Sequence, residues 1–191
     1  SSIAGGAILF TRNAFNVGNS AIFPGGSSFA NLTTAVSLSL WFNTGTNTTM
    51  VLAGKGYQFG TVPYEIQSYQ INIDGGTING RITANGSTSN TDLSGPSLSL
   101  NTWINVTLTY DGSNIIIYIN GTLTNSTPKT GLMTNIYSLP FIIGGQTTNI
   151  SGTTLSEFYG GYIGQVLLYN TALTAGQVLQ NFNGTKTRFG L

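Results

Sequence analysis

Five acidic side chains carry whatever acid–base or cation chemistry this sequence can do: Glu65, Asp74, Asp92, Asp111 and Glu157. There is no histidine and no cysteine. No side chain therefore has an ordinary pKa near neutrality. A Ser-His-Asp triad cannot be built, and thiolate nucleophiles, disulfides and zinc–thiolate sites are excluded. Glycoside hydrolysis needs two placed carboxylates. No two acids stand at i, i+2 or i, i+4, so no single strand presents a pair. Only Glu65 in "PYEIQ" and Glu157 in "SEFYG" could meet in space. Calcium needs several oxygen ligands, commonly with a carboxylate among them. Asp74 and Asp111 each precede glycine and read as turn residues. Asp92 in "NTDLSG" has no turn duty and is the expected calcium ligand, with Asn90 and backbone carbonyls beside it.

Sugar recognition combines an aromatic face with amides and backbone groups that fix hydroxyls. Trp41 and Trp103 each fall opposite the aliphatic face of an alternating segment. Either loops or the closing helix cover them, or they form a binding platform. Tyr57, Tyr64 and Tyr69 lie in "YQFGTVPYEIQSYQ", read as a long loop, where aromatics serve either loop packing or binding. Asn-x-Ser/Thr sequons at Asn31, Asn47, Asn85, Asn125 and Asn149 matter only on a glycosylating secretory route.

The elements that must position these residues are strands. In "VSLSLWFN" Val36, Leu38, Leu40 and Phe42 share one face, and in "WINVTLTY" Ile104, Val106, Leu108 and Tyr110 do. An Asp-Gly turn then leads into "IIIYIN", a strong hairpin signal. A second hairpin is expected from "YQINI" through "DGG" to "TINGRITA". Further candidates are "AILFT", "SAIFP", "TMVLAG", "LPFIIGG" and "GYIGQVLLY", about ten short strands in all. The polar stretches 85–99 and 124–135 read as loops. The pattern predicts one all-β domain over residues 1–191, a two-sheet antiparallel β-sandwich with one short C-terminal helix. Thr174 and Gln177 have capping-box spacing, and Leu173 with Val178 fits a hydrophobic staple. Val178 and Phe182 share a helical face, which is expected to plug an edge or end of the sandwich.

Composition narrows the function classes. Charged residues make up 6% of the 191, and the net charge is +1, so no electrostatic field steers nucleic acid or an acidic membrane. No apolar run approaches the roughly 18 residues of a membrane span. The opening "SSIAGGAILF" has neither an initiating Met nor the basic start of a signal peptide, as expected of a processed or excised chain.

Three stretches resemble laminin-G-like, concanavalin A-like domains in the right order over roughly residues 20–183. "LNTWINVTLTYDGSNIIIYINGTL" resembles their central hairpin at Trp103, Val106, Tyr110, Asp111, Gly112, Asn120 and Gly121, with Asn105 where a His is usual. "LSLWFNTG" resembles their early strand, and "YIGQVLLYNTALTAGQVLQNF" their last strand and closing turn. Gly164 and Gln165 stand where relatives often carry two acids. Glucanases on this fold use a Glu-x-Asp-x-x-Glu strand, which is missing. The ending "NFNGTKTRFGL" is similar to C-termini of phage and large-virus structural proteins.

The resemblance implies a concanavalin A-like jelly roll and a non-catalytic structural or binding module. Its expected place is a virion surface or another extracellular assembly, and its expected partners are glycans or a host-surface glycoprotein. Calcium is a possible cofactor, in rim loops. The alternative is a self-assembling capsid-decoration or fibre subunit, whose uncharged strand edges and Lys186–Arg188 tail could dock on other copies or other virion proteins. Glycoside hydrolysis is the third reading.

Overall fold

A computed structural model describes residues 7–13, 17–26, 30–58, 65–85, 91–136, 138–149 and 153–191. Among them run fourteen strands in chain order: β1 (Ile8–Phe10), β2 (Ala21–Phe23), β3 (Val36–Asn43), β4 (Met50–Gln58), β5 (Glu65–Asp74), β6 (Thr77–Ile82) and β7 (Thr91–Ser97). These are followed by β8 (Ile104–Tyr110), β9 (Asn114–Ile119), β10 (Thr122–Pro128), β11 (Phe141–Ile143), β12 (Gln146–Thr147), β13 (Leu155–Ser156) and β14 (Gly161–Tyr169). Helix α1 (Ala175–Thr185) and a 3₁₀ turn over Lys186–Phe189 close the chain.

The strands form two sheets, as the alternation predicts. One has the order β1-β14-β3-β8-β9-β10. The other runs β13-β12-β4-β5-β6-β7, with β11 bridging β4 to β2. All pairings are antiparallel except the short β12–β4 contact. The β8–β9 hairpin turns at Asp111, whose Oδ1 accepts the Ser113 and Asn114 N–H groups at 2.8 and 2.7 Å. Gly112 takes the left-handed φ of 87° that this turn requires. Asp111 is therefore a turn residue, and these bonds hold its carboxyl below the usual range against the opposing effect of desolvation.

The core lies between the sheets. Leu38, Leu40 and Phe42 of β3 and Val106 and Leu108 of β8 face Met50, Leu52, Ile71, Ile73 and Ile78 of the other sheet, all fully buried. Two segments expected to be loops are strands. β7 and β10 are polar edge strands, held mainly by ladder hydrogen bonds, with Leu93 of β7 the one of their side chains that reaches the described core. The expected long loop 57–70 is also mostly strand, since β4 runs to Gln58 and β5 begins at Glu65.

Helix α1 has its predicted cap. Thr174 Oγ1 accepts the Gln177 N–H, and Gln177 Oε1 accepts the Thr174 N–H at 2.9 Å. Its position differs from the expectation. It lies on the outer face of the six-stranded sheet, where Val178 and Leu173 pack on Tyr118. Ser37 of β3 anchors the approach, donating to the Thr171 carbonyl and accepting the Leu173 N–H, both at 2.8 Å. Asn105, in the usual His position, donates to the Leu40 carbonyl and ties β8 to β3.

Candidate functional site

The two sheets present opposite outer faces. On the six-stranded sheet, Trp41 is 1% exposed. Its ring stacks on Phe182 at 5.6 Å and on Phe189 at 4.3 Å, and its Nε1 donates to Thr185 Oγ1. Trp103 is half-buried against Phe189 at 4.8 Å and Tyr162 at 6.4 Å. The C-terminal segment, which the self-assembly alternative has docking on other copies, folds back to cover both tryptophans. Trp41 is thus corrected from a sugar platform to the floor of a small aromatic core. The cause is long-range: Phe189 arrives from the far end of the chain. Between α1 and β14 lies an uncharged groove of about 520 Å³, lined among others by Gln165, Tyr169, Gln177 and Gln180.

Tyr69 is corrected in the same way. It sits on β5, faces the core and is fully buried. Its hydroxyl donates to the Ala30 carbonyl at 2.8 Å, and desolvation drives its pKa up. Tyr57 is half-buried on β4, beside Ile66 in the ladder. Tyr64 and Asn90 lie outside the described residues. Asp92 is on β7, not in a loop, and its Oδ1 is 3.1 Å from Arg81 Nε. Asp74 Oδ2 lies 3.6 Å from Arg81 Nη2. A guanidinium already stands where a cation would sit between these acids. Among the described residues no three His, Cys, Asp or Glu side chains come together. The described residues around Asp92 therefore do not fit a calcium site.

The outer face of the eight-stranded sheet is different, and it was not singled out from the sequence. Gln67, Gln70 and Asn72 of β5, Asn79 and Arg81 of β6, and Gln146 of β12 form a buried polar strip there. Gly54 and Gly56 of β4 stand opposite Gln70 and Gln67. A Cβ on Gly54 would fall 2.8 Å from Gln70 Cβ, and one on Gly56 would fall 2.9 Å from Gln67 Cγ. The glycines leave Gln70 free to reach across β4, where its Nε2 donates to Gln146 Oε1 at 2.8 Å. Gln146 Nε2 passes the chain on to Gln58 Oε1 at 2.8 Å and Glu157 Oε2 at 3.0 Å. Glu157 has a left-handed φ of 48°, a conformation that costs a non-glycine residue about 1–3 kcal/mol. The Val51 N–H, donating to the Glu157 carbonyl, helps hold it there.

Four amide atoms of the strip have no hydrogen-bond partner: Gln67 Oε1, Gln70 Oε1, and both Oδ1 and Nδ2 of Asn72. A buried polar atom left unpaired costs about 1–3 kcal/mol. Arg81 stands opposite Gln70 and Asp74 opposite Thr77. The Arg81 side chain must therefore run along the strands over the Asn72–Asn79 pair to reach Asp74. Its Nε carries the ion pair with Asp92 without an aligned hydrogen bond. The sequence signal was present as polar residues two apart on paired strands, Gln70/Asn72 and Asn79/Arg81.

A family model described as "Concanavalin A-like lectin/glucanases superfamily" matches residues 15–179. The chain belongs to this superfamily. No curated protein sequence matches it. Among solved structures, the carbohydrate-binding module CBM40 of the Ruminococcus gnavus IT-sialidase, bound to α2,3-sialyllactose, is similar at a TM-score of 0.71 and 13% identity, over 93% of this chain and 96% of that one. A native heptameric SAP-like pentraxin from Limulus polyphemus gives 0.65 and 16%, over 94% and 82%. Domain 4 of the Geobacillus stearothermophilus arabinanase AbnA, in complex with arabinotriose, gives 0.60 and 18%, over 92% and 81%. At these identities the likeness is one of fold. The superfamily member described here is a two-sheet lectin-like sandwich, and no helix among its described residues is long and apolar enough to cross a membrane.

Proposed function

We propose that this protein is a non-catalytic glycan-binding module whose site is the amide strip on the outer face of the eight-stranded sheet. The observation that carries this reading is the set of buried, unpartnered amide atoms on Gln67, Gln70 and Asn72. Sugar hydroxyls both donate and accept, and so can pair with an amide oxygen and an amide nitrogen at once. Because these atoms are buried, with Arg81 running over the Asn72–Asn79 pair, binding on this reading requires the Arg81 side chain to swing aside. The solved relatives bound to sialyllactose and arabinotriose support a glycan as the class of ligand. A virion-surface or other extracellular setting is part of the proposal and rests on the resemblance of residues 181–191 to viral structural endings. A glycan array with the wild type and Asn72→Ala, with and without calcium, tests the site. Binding that Asn72→Ala reduces at least tenfold supports it, and an array without signal in both conditions sinks it.

One observation favours glycoside hydrolysis as a second reading. Glu65 stands opposite Gln58, which shares the Gln146 amide with Glu157, so both glutamate positions come to one end of the strip. Hydrolysis of any oligosaccharide that is abolished in Glu157→Gln would favour this reading. Binding without turnover leaves the module non-catalytic.

A further inference from the structure

A second cavity, of about 260 Å³, opens between the chain segment before β2 and the β3–β4 connection, lined by Arg12, Asn13, Thr46, Thr48 and Gly160. It is smaller than the roughly 300–1,000 Å³ of pockets for drug-sized ligands, and suits one terminal group. Its cation is fixed in place. Arg12 Nη1 donates to Thr48 Oγ1 at 3.0 Å and to the Thr49 carbonyl at 2.9 Å. Both Nη1 protons are thereby used. The Nε–Nη2 edge of the guanidinium, the edge that grips a carboxylate through two parallel N–H···O bonds, donates to no described residue. Among the described residues no carboxylate lines the cavity.

The acid reached through Arg12's own contacts, Asp74, is engaged elsewhere. Its Oδ1 accepts from Thr49 Oγ1 at 2.9 Å and its Oδ2 lies 3.6 Å from Arg81. Among the other described cations, Arg81 is shared between two acids, Lys55 is buried, Lys186 and Arg188 lie over Phe182 and Phe189, and Lys129, half-buried just after β10, does not line the cavity. Arg12 is thus a preset guanidinium aimed at a cavity. A relay of contacts links the cavity's arginine to the end of the strip: Arg12 donates to the Thr49 carbonyl, Thr49 Oγ1 donates to Asp74, and Asp74 lies two residues beyond Asn72 on the same face of β5.

The geometry points to an anion subsite at Arg12 that takes the carboxylate of an acidic sugar, a uronate or a sialate, at the rim of the strip. It rests on the glycan-binding reading for its sugar and on the pocket alone for its charge preference. The Thr46 and Thr48 hydroxyls would flank the carboxylate-bearing ring, while Arg12 supplies the fork.

The test is titration of the wild type, Arg12→Gln and Arg12→Lys with matched pairs, glucuronate against glucose and sialyllactose against lactose, at 0.15 M salt (about one Debye length of 8 Å). Binding is read by calorimetry and by the ¹⁵N resonance of the Arg12 side chain. At least one acidic member should shift that resonance and bind at least tenfold more tightly than its neutral partner. Arg12→Gln should remove the preference and leave neutral binding unchanged, and Arg12→Lys should keep a fraction of it. A preference that survives in Arg12→Gln, or acidic sugars that leave the Arg12 resonance unmoved, overturns the inference. Neutral binding that Asn72→Ala weakens, with no acidic preference, overturns the subsite and leaves the strip standing. A glucuronate shift at Arg12 with no glycan bound on the strip supports the subsite and removes the strip.

Discussion

Replacing Phe189 with alanine isolates the contact that covers the tryptophans. The Phe189 ring is 5% exposed and wedged between Trp41 at 4.3 Å and Trp103 at 4.8 Å. It also rests on Gly164, where a Cβ would come 2.6 Å from Phe189 Cε1. Phe→Ala in a packed interior costs about 3–5 kcal/mol, of which two aromatic contacts make up about 0.5–1.5 kcal/mol each. Because the residue sits in a terminal 3₁₀ turn, the turn can undock locally, and the cost cannot exceed that of local undocking. We therefore expect the low end, about 3 kcal/mol. For a domain of this length that is a fall in Tm of about 6–12 °C. Denaturant unfolding followed by tryptophan fluorescence is the assay, since the chain's two tryptophans both touch Phe189. The native emission should also shift to the red before any unfolding. Leu191→Ala, at a residue 52% exposed, is the control and should change stability by less than about 0.5 kcal/mol. A loss below about 1 kcal/mol for Phe189→Ala, with unchanged emission, would mean the C-terminal segment does not cover this face. Trp41 and Trp103 would then return as candidates for the ligand platform.

The other expectations concern neighbouring contacts and the buried lysine. Gly164→Ala should destabilise by about 1–3 kcal/mol in thermal melts, because the new methyl displaces Phe189 and meets Trp41 Cβ at 3.3 Å. Lys55 is 1% exposed, its ammonium donates to Asn31 Oδ1, and desolvation lowers its pKa to about 8. The unfolded chain therefore holds that proton more tightly, so stability should rise between pH 8 and about 10.5 and the penalty should be fully present below pH 8. Lys55→Met should flatten this rise in denaturation curves across pH. It should also stabilise the protein at pH 7 by at most about 3 kcal/mol, less to the extent that water reaches the ammonium. Gln70→Ala removes the donor to Gln146 and should weaken any strip-bound glycan at least tenfold by calorimetry, with a smaller change in Tm.

How much of this was legible varied with the physics of each segment. The β8–β9 hairpin was readable because an Asp-Gly turn joins two runs with period two, and local turn chemistry and the buried face agree. The α1 cap was readable for the same reason, as Thr174, Gln177, Leu173 and Val178 are local to one another. Strands β7 and β10 were not, because "TDLSGPS" and "TLTNSTP" carry little apolar alternation and are held mainly by neighbouring ladders. That error placed Asp92 in a loop and made a calcium ligand of a side chain that faces Arg81. Of the two readings of Trp41, cover by the closing helix is the one the fold shows, and the platform reading failed for a different reason. Period two correctly put Trp41 on the far side of β3 from the aliphatic core, where the closing helix was one expected cover, but only the tertiary fold shows Phe189 arriving beside it. The amide strip draws Gln70, Arg81 and Gln146 from three strands, and the unpaired state of its atoms is a property of the assembled sheet.

The central claim is that glycans contact the amide strip of the eight-stranded sheet. The most direct measurement is a ¹H–¹⁵N spectrum of the side-chain amide groups during titration with the strongest ligand from the array. The account predicts that the NH₂ signals of Gln67, Gln70, Asn72 and Gln146 move together and saturate at the affinity found by calorimetry. Saturating binding that leaves these four unmoved, with changes confined to the groove between β14 and α1 or to the face around Trp103, would contradict it.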